Sequence, residues 1–198
     1  MDHTRSTLLQ RLRNRSDEQA WRTFDDLYRG MLVGYARARG LGQADADDVA
    51  QQCAQAVLEQ ISEYQHAGSF KNWLRAIAEH KVVDTFRRRN RERQPGTGAL
   101  TGCPDDSPGV AEVWERHWAV AHLRYCARAV RFEVAPATFE AFVGYALEGR
   151  DAVAVASALG MTTNQVYVAK HRVLDRIRAM MLELTGEEAP AIPDRSEA

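Results

Sequence analysis

Cysteine is scarce: Cys53, Cys103 and Cys126 are three among 198 residues, and no two form a CxxC pair. An odd, widely spaced set gives no disulfide framework. His122 and Cys126 are four apart, with His117 and His80 nearby. A structural zinc takes about four convergent ligands, and with no CxxC to anchor one, no metal is expected. Long apolar runs are absent too. None approaches the roughly 20 residues of a membrane span, so no membrane association is expected. The start of the sequence, MDHTRSTLLQRLRNRS, has no long apolar stretch and does not read as a secretory signal. Together with the cysteines this points to a reducing, cytoplasmic setting. Strand-like alternation never lasts more than a few residues, and no repeat of 20 to 50 residues is present. GxSxG, HExxH and a phosphate-cradling glycine loop are missing. Asp45, Asp47 and Asp48 with His66 or His80 could be imagined as a metal or acid/base site. They sit on a helix's first turn and no ligand spacing repeats, so the chain is not read as an enzyme. No catalytic residue and no cofactor is assigned.

Net charge is also nearly absent, at −1 from 26 Lys/Arg and 27 Asp/Glu, but it is separated along the chain. Residues 43–64 hold Asp45, Asp47, Asp48, Glu59 and Glu63 with no Lys or Arg, a net of −5. Residues 71–93 hold eight Lys/Arg against Glu79, Asp84 and Glu92, a net of +5. Two such blocks suit two partners, a protein for the acidic one and nucleic acid for the basic one.

Helical spacing dominates. Ser16 with Gln19 forms a capping-box pattern before a stripe of Trp21, Phe24, Leu27, Tyr28, Met31, Leu32 and Tyr35, which is core. Gly40 and Gly42 stop that helix. A second runs from about Ala44 to Ser62, its early aspartates favoured by the helix dipole. After a short loop, Ser69 caps FKNWLRAIAEHKVVDTFRRRNRER, residues 70–93. Phe70, Trp73, Leu74 and Ile77 share one face of it, and Arg87, Arg88, Arg89, Arg91 and Arg93 crowd its end. An apolar side fixed to a core with cations opposite is what a helix tracking a phosphate backbone requires. Residues 94–109 contain three Pro and four Gly, a linker composition.

The second half is again helical. Val110, Val113, Trp114, His117, Trp118 and Ala121 form one apolar stripe. Pro136 suits a first helical turn, with Phe139, Phe142, Val143 and Ala146 facing inward up to Gly149. Asp151 to Leu159, a glycine turn at Gly160, and a final helix capped by Thr162 with Gln165 have helix-turn-helix proportions. In such a pair the second helix enters the major groove. Thr163, Gln165 and Tyr167 would reach bases or phosphates, and Lys170 and Arg172 phosphates.

Four stretches together resemble a bacterial RNA polymerase sigma factor of the extracytoplasmic-function (ECF) type in the sigma-70 family. They are DADDVAQQ (45–52), SFKNWLRAIAEHKVVDTFRRR (69–89), the Pro/Gly segment, and LEGRDAVAVASALGMTTNQVYVAKHRVLDRIR (147–178). The resemblance implies an all-α fold of two small helical domains: 1–93 (polymerase binding, minus-ten recognition and melting) and 110–185 (minus-thirty-five recognition through the helix-turn-helix). Residues 94–109 would link them and 186–198 would be a disordered tail. It implies that Asp45, Asp47, Asp48, Gln51 and Gln52 dock on basic clamp helices of the polymerase large subunit, whose flap is a second contact. It implies that the loop from Tyr64 through His66 to Ser69 takes a flipped minus-ten base, and that Lys71, Asn72, Arg75, His80, Lys81, Arg87 and Arg88 face promoter DNA. An anti-sigma factor is a further possible partner. The other reading is a helix-turn-helix regulator acting without a polymerase contact.

Overall fold

The computed structural model describes residues 3–64, 69–93 and 108–185, with side chains for 8–91 and 109–185 within those spans. His66, residues 94–107 of the expected 94–109 linker and the expected tail lie outside them, while Pro108 and Gly109 begin α5. Among the described residues the chain is all-helical, as expected. The helices are α1 (His3–Leu12), α2 (Glu18–Ala38), α3 (Gln43–Gln60), α4 (Phe70–Arg93), α5 (Pro108–Val130), α6 (Pro136–Phe142), α7 (Ala152–Leu159) and α8 (Thr163–Thr185). A π-helical turn, Val143–Leu147, extends α6. Two compact units divide the chain: Ser6–Ala121, and His122–Ala198 together with Met1–Arg5.

In the first unit α2 packs on α3 and α3 on α4. The capping residue of α2 is Asp17, not Ser16. Its carboxylate accepts the Ala20 N–H at 3.0 Å and is gripped by Arg11 through bonds of 2.8 and 2.9 Å. A carboxylate that both caps the helix and meets a guanidinium displaces the weaker serine cap. Phe24, Leu27, Met31 and Tyr35 of α2 are buried, as are Val49, Cys53 and Val57 of α3 and Phe70, Leu74, Ala78 and Val82 of α4. Gly40 turns the chain with φ +95°, a value that L side chains avoid. The aromatic rings run on across elements. Tyr28 meets Phe70 at 5.7 Å and Trp118 at 5.5 Å, and Tyr35 meets Trp114 edge-on at 5.0 Å. The start of α5 therefore belongs to the first unit's core, and the units part at Ala121/His122 rather than before Val110.

In the second unit Cys126 and Val130 cluster with Phe142 and with Val173, Leu174 and Ile177 of α8. A second cluster joins Ala141, Ala152, Val155 and Ala156 to Val166 and Ala169. Gly144 lies so close to α7 that a Cβ there would stand 3.2 Å from Val155 Cγ2. Asp151 caps α7 through the Val153 and Ala154 N–H groups, and Gly160 ends it with φ +64°. The predicted capping box of α8 is present. Gln165 N–H donates to Thr162 Oγ1 at 3.2 Å, and Thr162 N–H to Gln165 Oε1 at 2.7 Å.

Trp114→Ala should lower the stability of the first unit by about 3–5 kcal/mol, as measured by denaturant unfolding, because a fully buried ring leaves a cavity. A loss under 1 kcal/mol would show that α5 is not part of this core. The Arg11 bond, foremost, holds Asp17 down at about 2. Its contribution to stability is complete above the ordinary carboxylate value and is lost as pH falls through that window toward 2. Asp17→Asn should flatten the acid limb of the stability profile there.

Candidate nucleic-acid interface

The five polymerase-facing candidates do not share one environment. Asp48 and Gln51 are exposed on α3, while Asp47 and Gln52 are half-buried. Asp47 accepts a bond of 2.9 Å from Gln43 Nε2, one helical turn back. Asp45 is different again. Its carboxylate is 17% exposed and pairs with Arg88 at 3.5 Å and, more closely, with Arg89.

The cations of α4 also divide. Asn72, His80, Arg87 and Arg88 are exposed, and Lys81 is half-buried. His80 and Arg87 flank Asp84 at 3.3 and 3.6 Å. Arg75 is bonded to Glu79 at 2.6 Å, which raises its pKa. Glu79 also accepts the Tyr35 hydroxyl at 3.4 Å, and Arg39 donates to that hydroxyl. Arg75 is thus tied into the core's polar edge. Lys71 corrects the expectation of a DNA-facing side chain. It is 8% exposed, its ammonium lies 2.5 Å from Glu115 of α5, and it stands 6.0 Å from the Trp118 ring centroid. A cation this covered is retained by its acid and its ring, not presented to phosphates. An i, i+4 pattern cannot reveal this, because Glu115 is far away in sequence.

At the other end of α4, the Tyr64 ring lies 4.9 Å from Trp73 and 6.0 Å from Phe70. The Ser69 carbonyl accepts the N–H groups of Asn72 and Trp73. Arg13 donates to the Tyr64 carbonyl at 2.9 Å, and Arg15 to that of Glu59 at 3.4 Å. These two contacts had no local sequence signal.

In the second unit Gln165, Tyr167 and Arg172 are exposed and Thr163 is half-buried. Tyr167 leans edge-on against Tyr145 at 5.4 Å. Gln165 spends its carbonyl on the capping box but keeps its amide donors. Lys170 is the second correction: it is 6% exposed, with its ammonium 5.6 Å from the Tyr145 ring centroid. On α8 the exposed set continues with Val168 and His171. A separate cleft of about 590 Å³ is lined by Phe132, Phe139, Val143, Val155 and Leu159 with Arg131 and Arg150. The Phe132 ring at this cleft is 86% exposed. Burial pushes the Cys53 and Cys126 thiols up to about 12, so neither is a nucleophile at neutral pH.

An acid-bearing helix packed against an arginine-ended helix, with a second helical unit carrying a glycine-turned helix pair, is the arrangement that the resemblance to the sigma-70 class implies. Residues 24–92, which cover most of α2 and all of α3 and α4 up to Glu92, match sigma-70 region 2. The chain is 30% identical over 169 residues to ECF RNA polymerase sigma factor SigD of Mycobacterium tuberculosis, covering 82% of this chain and 77% of that one. It is 31% identical over 165 residues to ECF RNA polymerase sigma factor ShbA of Streptomyces griseus (76% and 81%). A third relative, ECF RNA polymerase sigma factor SigF of Caulobacter vibrioides, is 27% identical over 143 residues (72% and 74%). The chain belongs to the ECF sigma factors. It directs transcription initiation by binding core RNA polymerase and promoter DNA. The family consists of initiation factors rather than enzymes. Among the described residues no helix is long and apolar enough to cross a membrane.

Glu115→Ala should destabilise the first unit by about 1–3 kcal/mol in chemical denaturation, since it strips a covered ammonium of its acid. At temperatures where the variant is folded, Lys71→Met should change DNA affinity less than twofold, whereas Arg87→Ala should weaken it several-fold in a fluorescence-anisotropy titration. Equal losses would place Lys71 back at the DNA surface.

Proposed function

We propose that Asp48 and Gln51, both exposed on α3, dock on the basic clamp helices of the polymerase large subunit. Asp47 and Gln52 flank that contact. The half-buried Tyr64–Trp73 pair and the exposed side of α4 take the opened minus-ten strand, by stacking and by charge. Asn72, His80, Lys81, Arg87 and Arg88 are the groups of α4 that do so. The α7–α8 pair acts as a helix-turn-helix on the minus-thirty-five element, with Gln165, Tyr167 and Arg172 as the reading set and Thr163 at its edge. The apolar cleft beside Phe132 takes the polymerase flap. Residues 94–107 connect α4 to α5, whose chain leads on into the second binding module, and the protein acts in the cytoplasm, where an anti-sigma factor can cover the same surfaces.

The observation that carries this reading is the sorting of charge on neighbouring helices. Asp48 and Gln51 are three apart on α3 and both open, so they offer a partner a compact acidic and polar face. Arg87 and Arg88 are exposed in the last two turns of α4, toward its C-terminal end. A regulator without a polymerase contact has no use for the α3 face.

Run-off transcription with purified core polymerase tests this. Wild-type protein should give promoter-dependent transcripts. Asp48→Arg should bind core at least about tenfold more weakly, a loss of ~1.4 kcal/mol, and lose transcript in proportion, with its thermal unfolding unchanged. Full transcript from Asp48→Arg would remove α3 from the docking surface.

A further inference from the structure

Asp45 sits third in α3, and by sequence it is one of a run of acids. Its surroundings set it apart. Its carboxylate is 17% exposed, against 45% for the Arg88 side chain and 33% for that of Arg89. One oxygen faces Arg88 and the other faces Arg89. Arg89 also lies over the start of α3, with its Nη2 3.6 Å from where a Gly42 Cβ would stand. A carboxylate shared between two guanidinium groups is a short, directional arrangement. It costs both arginines rotamer freedom, and it leaves the trio with a net charge of +1 instead of +2.

We propose that Asp45 is a positioning residue for the DNA-gripping end of α4 and not a polymerase contact. Resting on the function proposed above, the proposal moves this one residue from the docking face to the DNA side. The carboxylate occupies the side of each guanidinium that would otherwise be open to any phosphate. The remaining donors of Arg88 and Arg89 are thereby aimed in one direction. The pair grips a backbone running in that direction and gains less from a randomly placed one. Electrostatic affinity is given up for orientation. The consequence is readable in salt dependence, because each phosphate neutralised adds about 0.9 to the slope of log affinity against log salt.

The test uses full-length protein with Asp45→Asn, which keeps side-chain volume and a polar group at the start of α3. Three quantities are measured: affinity for core polymerase, the salt slope of the free protein on non-promoter duplex, and holoenzyme discrimination between promoter and scrambled DNA. Core affinity should stay within twofold of wild type, while Asp48→Arg loses it. The slope should steepen by about 1, and discrimination should fall at least threefold. Both shifts should vanish when Asp45→Asn is placed in an Arg88→Gln/Arg89→Gln background, because the residue acts through those side chains. An unchanged slope, or a loss of core affinity equal to that of Asp48→Arg, would overturn the proposal. Arg89→Lys keeps the charge but loses the planar fork. It should lower discrimination in the same direction, so the idea stands or falls even if Asp45→Asn does not fold. The slope is measured without polymerase. Failure of the wild type to bind core would therefore count against the docking function and not against this assignment.

Discussion

The aromatic seam formed by Tyr28, Phe70, Trp118, Tyr35 and Trp114 carries the first unit. Ring pairs at 5 to 6 Å join α2 to α4 and α2 to α5. Each ring removes a large apolar area from water and adds edge-to-face or tilted contact beyond that area. Because Phe70 and Leu74 are sealed below, Asn72, His80, Arg87 and Arg88 of α4 are left exposed. A helix anchored along one face can hold cations at its end without those cations joining the core. The docking and DNA-gripping faces proposed above both depend on that rotation of α4 being fixed.

Charge is then disposed by local and distant partners rather than by composition. Lys71 and Lys170 look alike in sequence: each is a lysine in the early part of a basic helix. Each is folded down over an aromatic ring, Trp118 for one and Tyr145 for the other. Their long stems can cover apolar surface while the ammonium finds a ring or an acid. Arginine behaves differently here. Its planar fork bonds carboxylates at the margin and stays partly open to solvent, as Arg75 and Arg88 do. The exposed electropositive surface is therefore made chiefly of arginine.

Much of this was legible from the residues alone. The stripes of α2 and α4, the Thr162–Gln165 capping box, Pro136 at a helix start and the glycine turn at Gly160 are all local, and periodicity or turn chemistry reveals them. The all-helical class follows from the same signals. The misses share a cause. Asp17 outcompetes Ser16 because Arg11 reaches it across a turn. Lys71 is covered because Glu115 and Trp118 arrive from a distant helix. Nor does the sequence show that Asp45 pairs with Arg88 and Arg89, because α4 has to return to the start of α3. Hydrophobic patterns mark which face is buried, but they do not say which charged groups meet across it. The neighbours of the first half of α5 stay hidden for the same reason. Its tryptophans plainly demand burial, and the sequence does not say against what.

Site-specific photo-crosslinking in an assembled promoter complex tests the sorting of charge most directly. A photoreactive side chain is placed in turn at position 48, at position 87 and, as an exposed control, at position 18. Position 48 should label the polymerase large subunit and no DNA, position 87 should label promoter DNA, and position 18 should label neither. DNA labelled from position 48, or polymerase alone from position 87, would contradict two separate faces.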